Sequence, residues 1–332
     1  MLHLKENQPL SRAFTECSAA ICMAADQKYL PYAAVVISSI LRNGDPNRQY
    51  DILLLSRDMT EESRCALELL ADGYRRASVR IVDMESVNQW FDAGISSYYS
   101  AETNYRLLIM SELFAEYERV IYIDCDTVVL QDILQLAETD MKGYPLAACR
   151  DYSMHLKQYS QSAVFYGQIP YSVENYCREV LGLEGYEDYF NAGVAMFDTA
   201  RCRQMNRDVH TAVQMLQNNN YVYNDQDVLN IMFEHQFCNL DAGWNYINDY
   251  EKYLSYPPAV KAGLYQKVHR EKPAVVHYIG GRKPWNYAPL PLEHLFWREA
   301  DALEKRVPAW RGRYPRPERR KQAKSSVFVC RT

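Results

Sequence analysis

Two aspartates, Asp124 and Asp126, stand in the run RVIYIDCDTVVLQD (119–132), with apolar residues before and after them. In extended backbone, residues two apart project to the same side. Both carboxylates can therefore meet at one point while Cys125 points back. Two like charges that close repel, and one loses its ionisation unless a cation joins them. A divalent metal resolves the conflict. The plainer alternative is that one aspartate caps a turn and the other is solvated, since a bare DxD is a weak motif.

Three further segments carry polar groups where apolar ones dominate. In VVHYIGGRKPWNY (275–287), His277 closes an apolar run. Gly280 and Gly281 allow close backbone approach to a ligand, and Lys283 is a point charge suited to phosphate. An O,O,N donor set with open positions suits Mn²⁺ or Mg²⁺, and the imidazole tips it toward Mn²⁺. In YNDQDVLN (223–230), Asp225, Gln226 and Asp227 open an apolar helix, where a cap and first-turn acids are ordinary. In DYFNAGVAMFD (188–198), Asn191 and Gly193 interrupt a strand; a bulge with a local hydrogen bond is the ordinary reading. Thr127 opens a rival. DCDT fits DxDxT, the nucleophile strand of haloacid-dehalogenase-type phosphatases, where an aspartate attacks phosphorus beside Mg²⁺. That reading needs a downstream acidic motif of the GDxxxD kind, and no Gly-Asp dipeptide follows residue 126.

These residues need elements to hold them. AAICMAA (19–25), YDILLLS (50–56), SVRIVDM (78–84) and RVIYID (119–124) read as strands. Between them, LPYAAVVISSILRNG shows helical spacing ending at Gly44, and TEESRCALELLADGY reads as a Thr-capped helix. NYRLLIMSELF (104–114) is expected to be helical, and TARCRQMNRDVHTAVQMLQNN to be one long helix. YPLAACRD, YFNAGVAMFD and AVVHYIGG supply later strands. Strands alternating with helices predict an α/β fold, with a mostly parallel central sheet flanked by helices. In such sheets ligands sit at the carboxyl ends of strands, which is where Asp124 and Asp126 fall.

The 332 residues suffice for a large core, and 27 tyrosines add apolar area and hydroxyls. No stretch is long and apolar enough for a membrane helix, and the first residues do not read as a signal peptide. Nine scattered cysteines without a CxxC pair argue against a disulfide framework and for a reducing, cytoplasmic location. The net charge of −5 hides an asymmetry. Residues 305–332 hold ten Lys/Arg and one acid, Glu318, leaving the body about −14. The expected division is a catalytic body over 1–290 and a helical, basic tail over 291–332. The tail is expected to hold the protein on the inner face of the cell membrane through anionic lipid. Nucleic acid is not expected, because the acidic body repels phosphate backbones.

Taken in order, MAADQKYLPYAAVVISSIL, TNYRLLIMSELF, VIYIDCDTVVL, FNAGVAMFD, YNDQDVLN and HYIGGRKPW resemble family 8 retaining glycosyltransferases, closest to the bacterial lipopolysaccharide galactosyl- and glucosyltransferases. The resemblance implies a GT-A fold and transfer of glucose or galactose from a UDP-sugar to a glycan acceptor, lipid-linked or on the cell surface. It implies that Asp124, Asp126 and His277 hold the metal. Ala24, Asp26, Tyr29, Cys125, Gly280 and Lys283 would bind the nucleotide, and Arg106, Asp151 and Asn191 the donor sugar. Asp225 and Gln226 would act beside the anomeric carbon, Gln226 through its carbonyl. Lys28 and Asn104 depart from the family's usual Asn and Tyr. The other readings are the phosphatase and a UDP-sugar binder without turnover.

Overall fold

The computed structural model describes residues 2–3, 9–17, 19–88, 91, 101–205, 208–250, 257, 263–264, 266–268, 272–314 and 316–317. Its first half is built from β1 (Leu2–His3), β2 (Ala19–Ala24), α1 (Leu30–Asn43), β3 (Tyr50–Ser56), α2 (Glu61–Glu68), β4 (Ala77–Asp83), α3 (Glu85–Asn88), β5 (Arg119–Ile123) and β6 (Thr127–Val129). There follow β7 (Leu146–Arg150), α4 (Tyr152–Tyr159), the hairpin β8 (Val164–Tyr166) and β9 (Ile169–Tyr171), α5 (Val173–Asn175) and β10 (Phe190–Asp198). The last stretch holds α6 (Thr199–Gln204), α7 (Val209–Asn218), α8 (Asp225–Met232), β11 (Phe237–Asn239), β12 (Tyr246–Ile247), β13 (Val275–His277) and α9 (Glu293–Arg306).

Eight strands form the central sheet in the order β1-β4-β3-β2-β5-β10-β7-β11. It is parallel except where β10 runs antiparallel between β5 and β7. Alternate strand residues feed two cores. Ile21, Met23, Ile52, Leu54, Ile121 and Ile123 face α1 and α9. Cys22, Leu53, Leu55, Val120 and Tyr122 face residues 101–110, α7 and α8. Both faces are covered, so the strands read as continuous apolar runs rather than alternating ones.

A small second sheet, β12-β13-β6, lies beyond the carboxyl end of β5. Its register places His277 opposite Thr127, which brings the histidine to the DxD. In β10 the pairing with β7 breaks between Asn191 and Ala195. The bulge expected there is present, and its Gly193 carbonyl accepts from Asp124 N at 2.8 Å.

Two expected helices differ. Residues 101–110 and 112–114 are 3₁₀ turns rather than α-helix. The Ser111 hydroxyl ends the first turn by accepting from Leu113 N, and Glu102, Asn104 and Arg106 are buried toward separate partners. The long helix over 199–219 is two, because Asp208 accepts from Thr211 N and starts α7 afresh. Beyond residue 290 the chain continues onto the body. Phe296, Trp297, Ala300, Leu303 and Trp310 join the α1 side of the core, and Trp310 Nε1 donates to Ala66 O. The basic run 318–332 lies outside the described residues.

Candidate active site

The carboxyl ends of β2 and β5, the β10 bulge, the start of α4 and α8 and the loop after β13 open onto one cleft of about 810 Å³. Of the residues singled out by sequence, Ala24, Asp26, Tyr29, Arg106, Asp124, Cys125, Asp126, Asp151, Asn191, Asp225, Gln226, His277, Gly280 and Lys283 all line it. Residues from seven segments of the chain thus converge on one site.

Asp124, Asp126 and His277 each offer one ligand atom, all within 4.8 Å of one another. His277 Nε2 lies 3.1 Å from Asp126 Oδ1 and 3.8 Å from Asp124 Oδ2. A chain of amides fixes which ring nitrogen carries the proton. Gly193 N–H donates to Asn191 Oδ1, so that atom is an acceptor. The Asn245 amide donates to the same oxygen at 2.8 Å, which leaves Asn245 Oδ1 facing His277 Nδ1 at 2.9 Å. A carbonyl oxygen accepts only, so Nδ1 holds the hydrogen and Nε2 presents its lone pair. That lone pair faces Asp126 Oδ1, a buried oxygen without a hydrogen-bond partner. Facing lone pairs at this distance call for a cation between them. The set of two carboxylates and one imidazole fits Mn²⁺ or Mg²⁺. Gly193 leaves the room, since a Cβ there would lie 2.7 Å from Asp124 Oδ2 and against the His277 ring.

Charge is arranged in layers around this trio. Lys283 Nζ pairs with Asp126 Oδ2 and also donates to Tyr278 O. Burial pushes the Asp126 carboxyl up, but the Lys283 ammonium outweighs it and holds its pKa well below the ordinary value. The Lys283 loop turns at Gly280, whose φ of +74° is left-handed, and Asn286 pins it by accepting from Lys283 N and donating to Gly281 O. On the other side, buried Arg106 bridges Asp124 Oδ1 at 3.0 Å and Asp225 Oδ2 at 2.6 Å, and donates to Ala192 O. Burial lifts the Asp225 carboxyl to about 7 against the pull of Arg106.

Asp151 caps α4, accepting from Ser153 N, and takes further hydrogen bonds from Asn191 Nδ2 and Gln226 Nε2. Gln226 Oε1 accepts from Ala192 N. One lone pair of that carbonyl is thus taken by the backbone of the bulge, and the amide NH₂ faces Asp151 and Tyr189 Oη. Cys125 turns its thiol to Ala24 O at 3.2 Å. Tyr29 packs edge-on against Trp285, which stacks on Tyr32 at 3.7 Å between ring centroids. Thr127 is fully buried and donates to Asp124 O.

Sequence reading missed five supports. Asn245 orients His277, and nothing in its local sequence marks it. Trp285 and Asn286 sit inside a segment already quoted, but no spacing rule separates them from ordinary loop residues. Asp227 accepts from Tyr176 Oη, Tyr189 Oη and Tyr223 N, so it anchors the helix bearing Asp225. The fifth, Lys157, enters the cleft from α4.

The profile of glycosyl transferase family 8 matches residues 20–288. The chain belongs to glycosyl transferase family 8. General stress protein A of Bacillus subtilis is 25% identical over 271 residues, 80% of this chain and 87% of that protein. Lipopolysaccharide 1,2-glucosyltransferase of Escherichia coli K12 is 26% identical over 211 residues, 60% of this chain and 56% of that protein. Among solved structures, the bifunctional glycosyltransferase WbbM superposes with a TM-score of 0.76 at 24% identity, over 90% of this chain and 53% of that one. Galactosyltransferase LgtC, in complex with donor and acceptor sugar analogues, gives 0.68 at 23% identity, over 85% and 95%. The chain spans little more than half of the lipopolysaccharide enzyme and of WbbM. The family 8 chain has the GT-A fold of these neighbours. It is a glycosyltransferase, and retention of configuration is consistent with its family. The phosphatase reading ends with that membership.

Proposed function

We propose that this family 8 protein transfers glucose or galactose from a UDP-sugar to a glycan acceptor, with retention and with Mn²⁺ or Mg²⁺. The observation that carries the reading is the orphaned Asp126 Oδ1 facing the His277 Nε2 lone pair, in a cleft that also holds Lys283 and Arg106. The named substrates of the lipopolysaccharide glucosyltransferase and of LgtC support the choice of hexose.

A metal held by Asp124, Asp126 and His277 would neutralise charge on the departing diphosphate. Lys283 adds a second cation to the same end of the cleft, and Gly280, without a side chain, would let its loop approach a phosphate closely. Ala24, Asp26, Tyr29 and Cys125 would receive the nucleoside, and Arg106, Asp151 and Asn191 the donor hexose. Asp225 faces developing positive charge on the sugar. Its ion pair with Arg106 suits it to stabilise that charge rather than attack carbon. Gln226 fixes the bulge and Asp151 together, which sets the geometry of the sugar contacts.

A lipid-linked acceptor would fit a protein held at an anionic membrane through residues 305–332. The direct test mixes the protein with Mn²⁺ and UDP-, GDP- and dTDP-hexoses and follows nucleotide release. UDP release from one hexose, abolished by chelator, supports the reading; release from no UDP-sugar, with or without candidate glycan acceptors, overturns it.

A further inference from the structure

We infer that Lys157 binds an anionic group, a carboxylate or a phosphate, on the sugar moiety of the substrate, apart from the donor diphosphate. This rests on the glycosyltransferase reading of the cleft and narrows its substrate class. Lys157 stands on the face of α4 that also turns Ser153 and Met154 into the cleft. It is about 9 Å along the helix axis from Asp151 at the helix start, and its contact Tyr223 stands two residues before Asp225, beside the groups assigned to the donor sugar.

Its ammonium is short of partners. It donates to Tyr223 Oη and lies 4.6 Å from the centroid of that ring. Among the described residues, no carboxylate comes within the 4.0 Å of an ion pair. Lys157 is half-buried, charges drawn out of water are ordinarily paired, and here the nearby acids are engaged elsewhere. Asp151 holds Ser153 N, Asn191 and Gln226. Asp227 holds Tyr176, Tyr189 and Tyr223 N. Burial lowers the pKa of the Lys157 ammonium, with Asp151 and Asp227 only partly opposing it. An arriving anion would supply the missing partner and two further hydrogen-bond acceptors. A neutral hexose would leave this cation as it is.

The test is equilibrium binding to the full chain. With UDP and Mn²⁺ saturating the nucleotide site, dissociation constants are measured for glucose 6-phosphate and galacturonate against glucose and galactose. In a second arm, UDP-glucuronate is compared with UDP-glucose. The wild type is expected to favour the anionic member of at least one arm about tenfold or more. Lys157→Met abolishes that preference, and Lys157→Arg retains most of it. A preference in the UDP-saturated arm places the anion on the acceptor; one in the second arm places it on the donor sugar. No preference in either arm, or one that Lys157→Met leaves intact, overturns the inference. UDP affinity of each variant reports its fold, and a wild type that binds no UDP instead overturns the donor reading.

Discussion

Asn245 does not reach the metal position, yet it decides which nitrogen of His277 does. Its carbonyl holds the hydrogen on Nδ1, and its own amide is oriented by Asn191 and, through that, by the Gly193 N–H. Asn245→Ala frees the tautomer and the ring. Mn²⁺ affinity, read by titration in the presence of UDP, should fall roughly 10- to 100-fold. Gly193→Ala acts on the same trio by volume. Its methyl would lie against His277 and Asp124, so metal binding should be lost while the circular dichroism spectrum stays native. Asp225 gives a pH signature. Its pKa is raised to about 7, so the fold retains a proton that the unfolded chain releases near the ordinary carboxylate value. This group therefore costs stability progressively as pH rises from about 4 to 7. In catalysis the sign reverses, because stabilising cationic sugar needs the carboxylate. Transfer should rise through pH 7. Asp225→Asn should lower transfer and flatten both profiles, measured as rate and as denaturant midpoint between pH 4.5 and 8.

At the scale of elements, the site is made by exceptions to a regular sheet. β2, β3, β4 and β5 were legible because strands covered on both faces are apolar throughout. The DxD was legible because acids are rare there. The antiparallel insertion of β10 was not, since strand direction leaves no mark on hydrophobic periodicity. The split at Asp208 was missed because the apolar spacing of 209–218 continues that of 199–204, and only the cap marks the break. The 3₁₀ path of 101–110 depends on partners far away in sequence. One of them is Asn224, whose φ of +52° is a conformation that side chains rarely adopt. Its amide donates to Asn104 Oδ1 at 2.7 Å, so the departure at Asn104 has a role: it secures the turn that aims Asp225. Asn224→Ala loses the bond and keeps the strain. It should destabilise the fold by about 1–3 kcal/mol and lower transfer more than donor binding. Asn224→Gly relieves the strain and should recover part of the stability in urea denaturation.

For the whole molecule, the question is where the catalytic body stops. The basic composition of 305–332 suggests one charged appendage, but its described part is built in. Arg306 donates to Leu70 O, Arg313 pairs with Glu62, and Arg316 with Asp301. Glu299 in α9 is buried beneath Arg42 of α1. Phe296, Trp297, Leu303 and Trp310 are each less than a tenth exposed. At about 1.5–3 kcal/mol per large apolar side chain, these four together rival the whole stability of an ordinary domain. Two truncations separate the roles. Ending the chain at residue 290 should give insoluble or unfolded protein, since α1 loses its cover. Ending it at 317 removes Arg319, Arg320, Lys321, Lys324 and Arg331 and leaves those contacts in place. That shorter chain should melt within a few degrees of the full one and keep UDP-sugar hydrolysis. Its binding to phosphatidylserine vesicles should weaken steeply, near ~1 kcal/mol per basic residue close to the surface, and the difference should vanish in high salt. Equal vesicle binding by the 317-residue and full-length chains would remove 318–332 from any membrane role. The described arginines could not replace that segment without giving up their partners on the body.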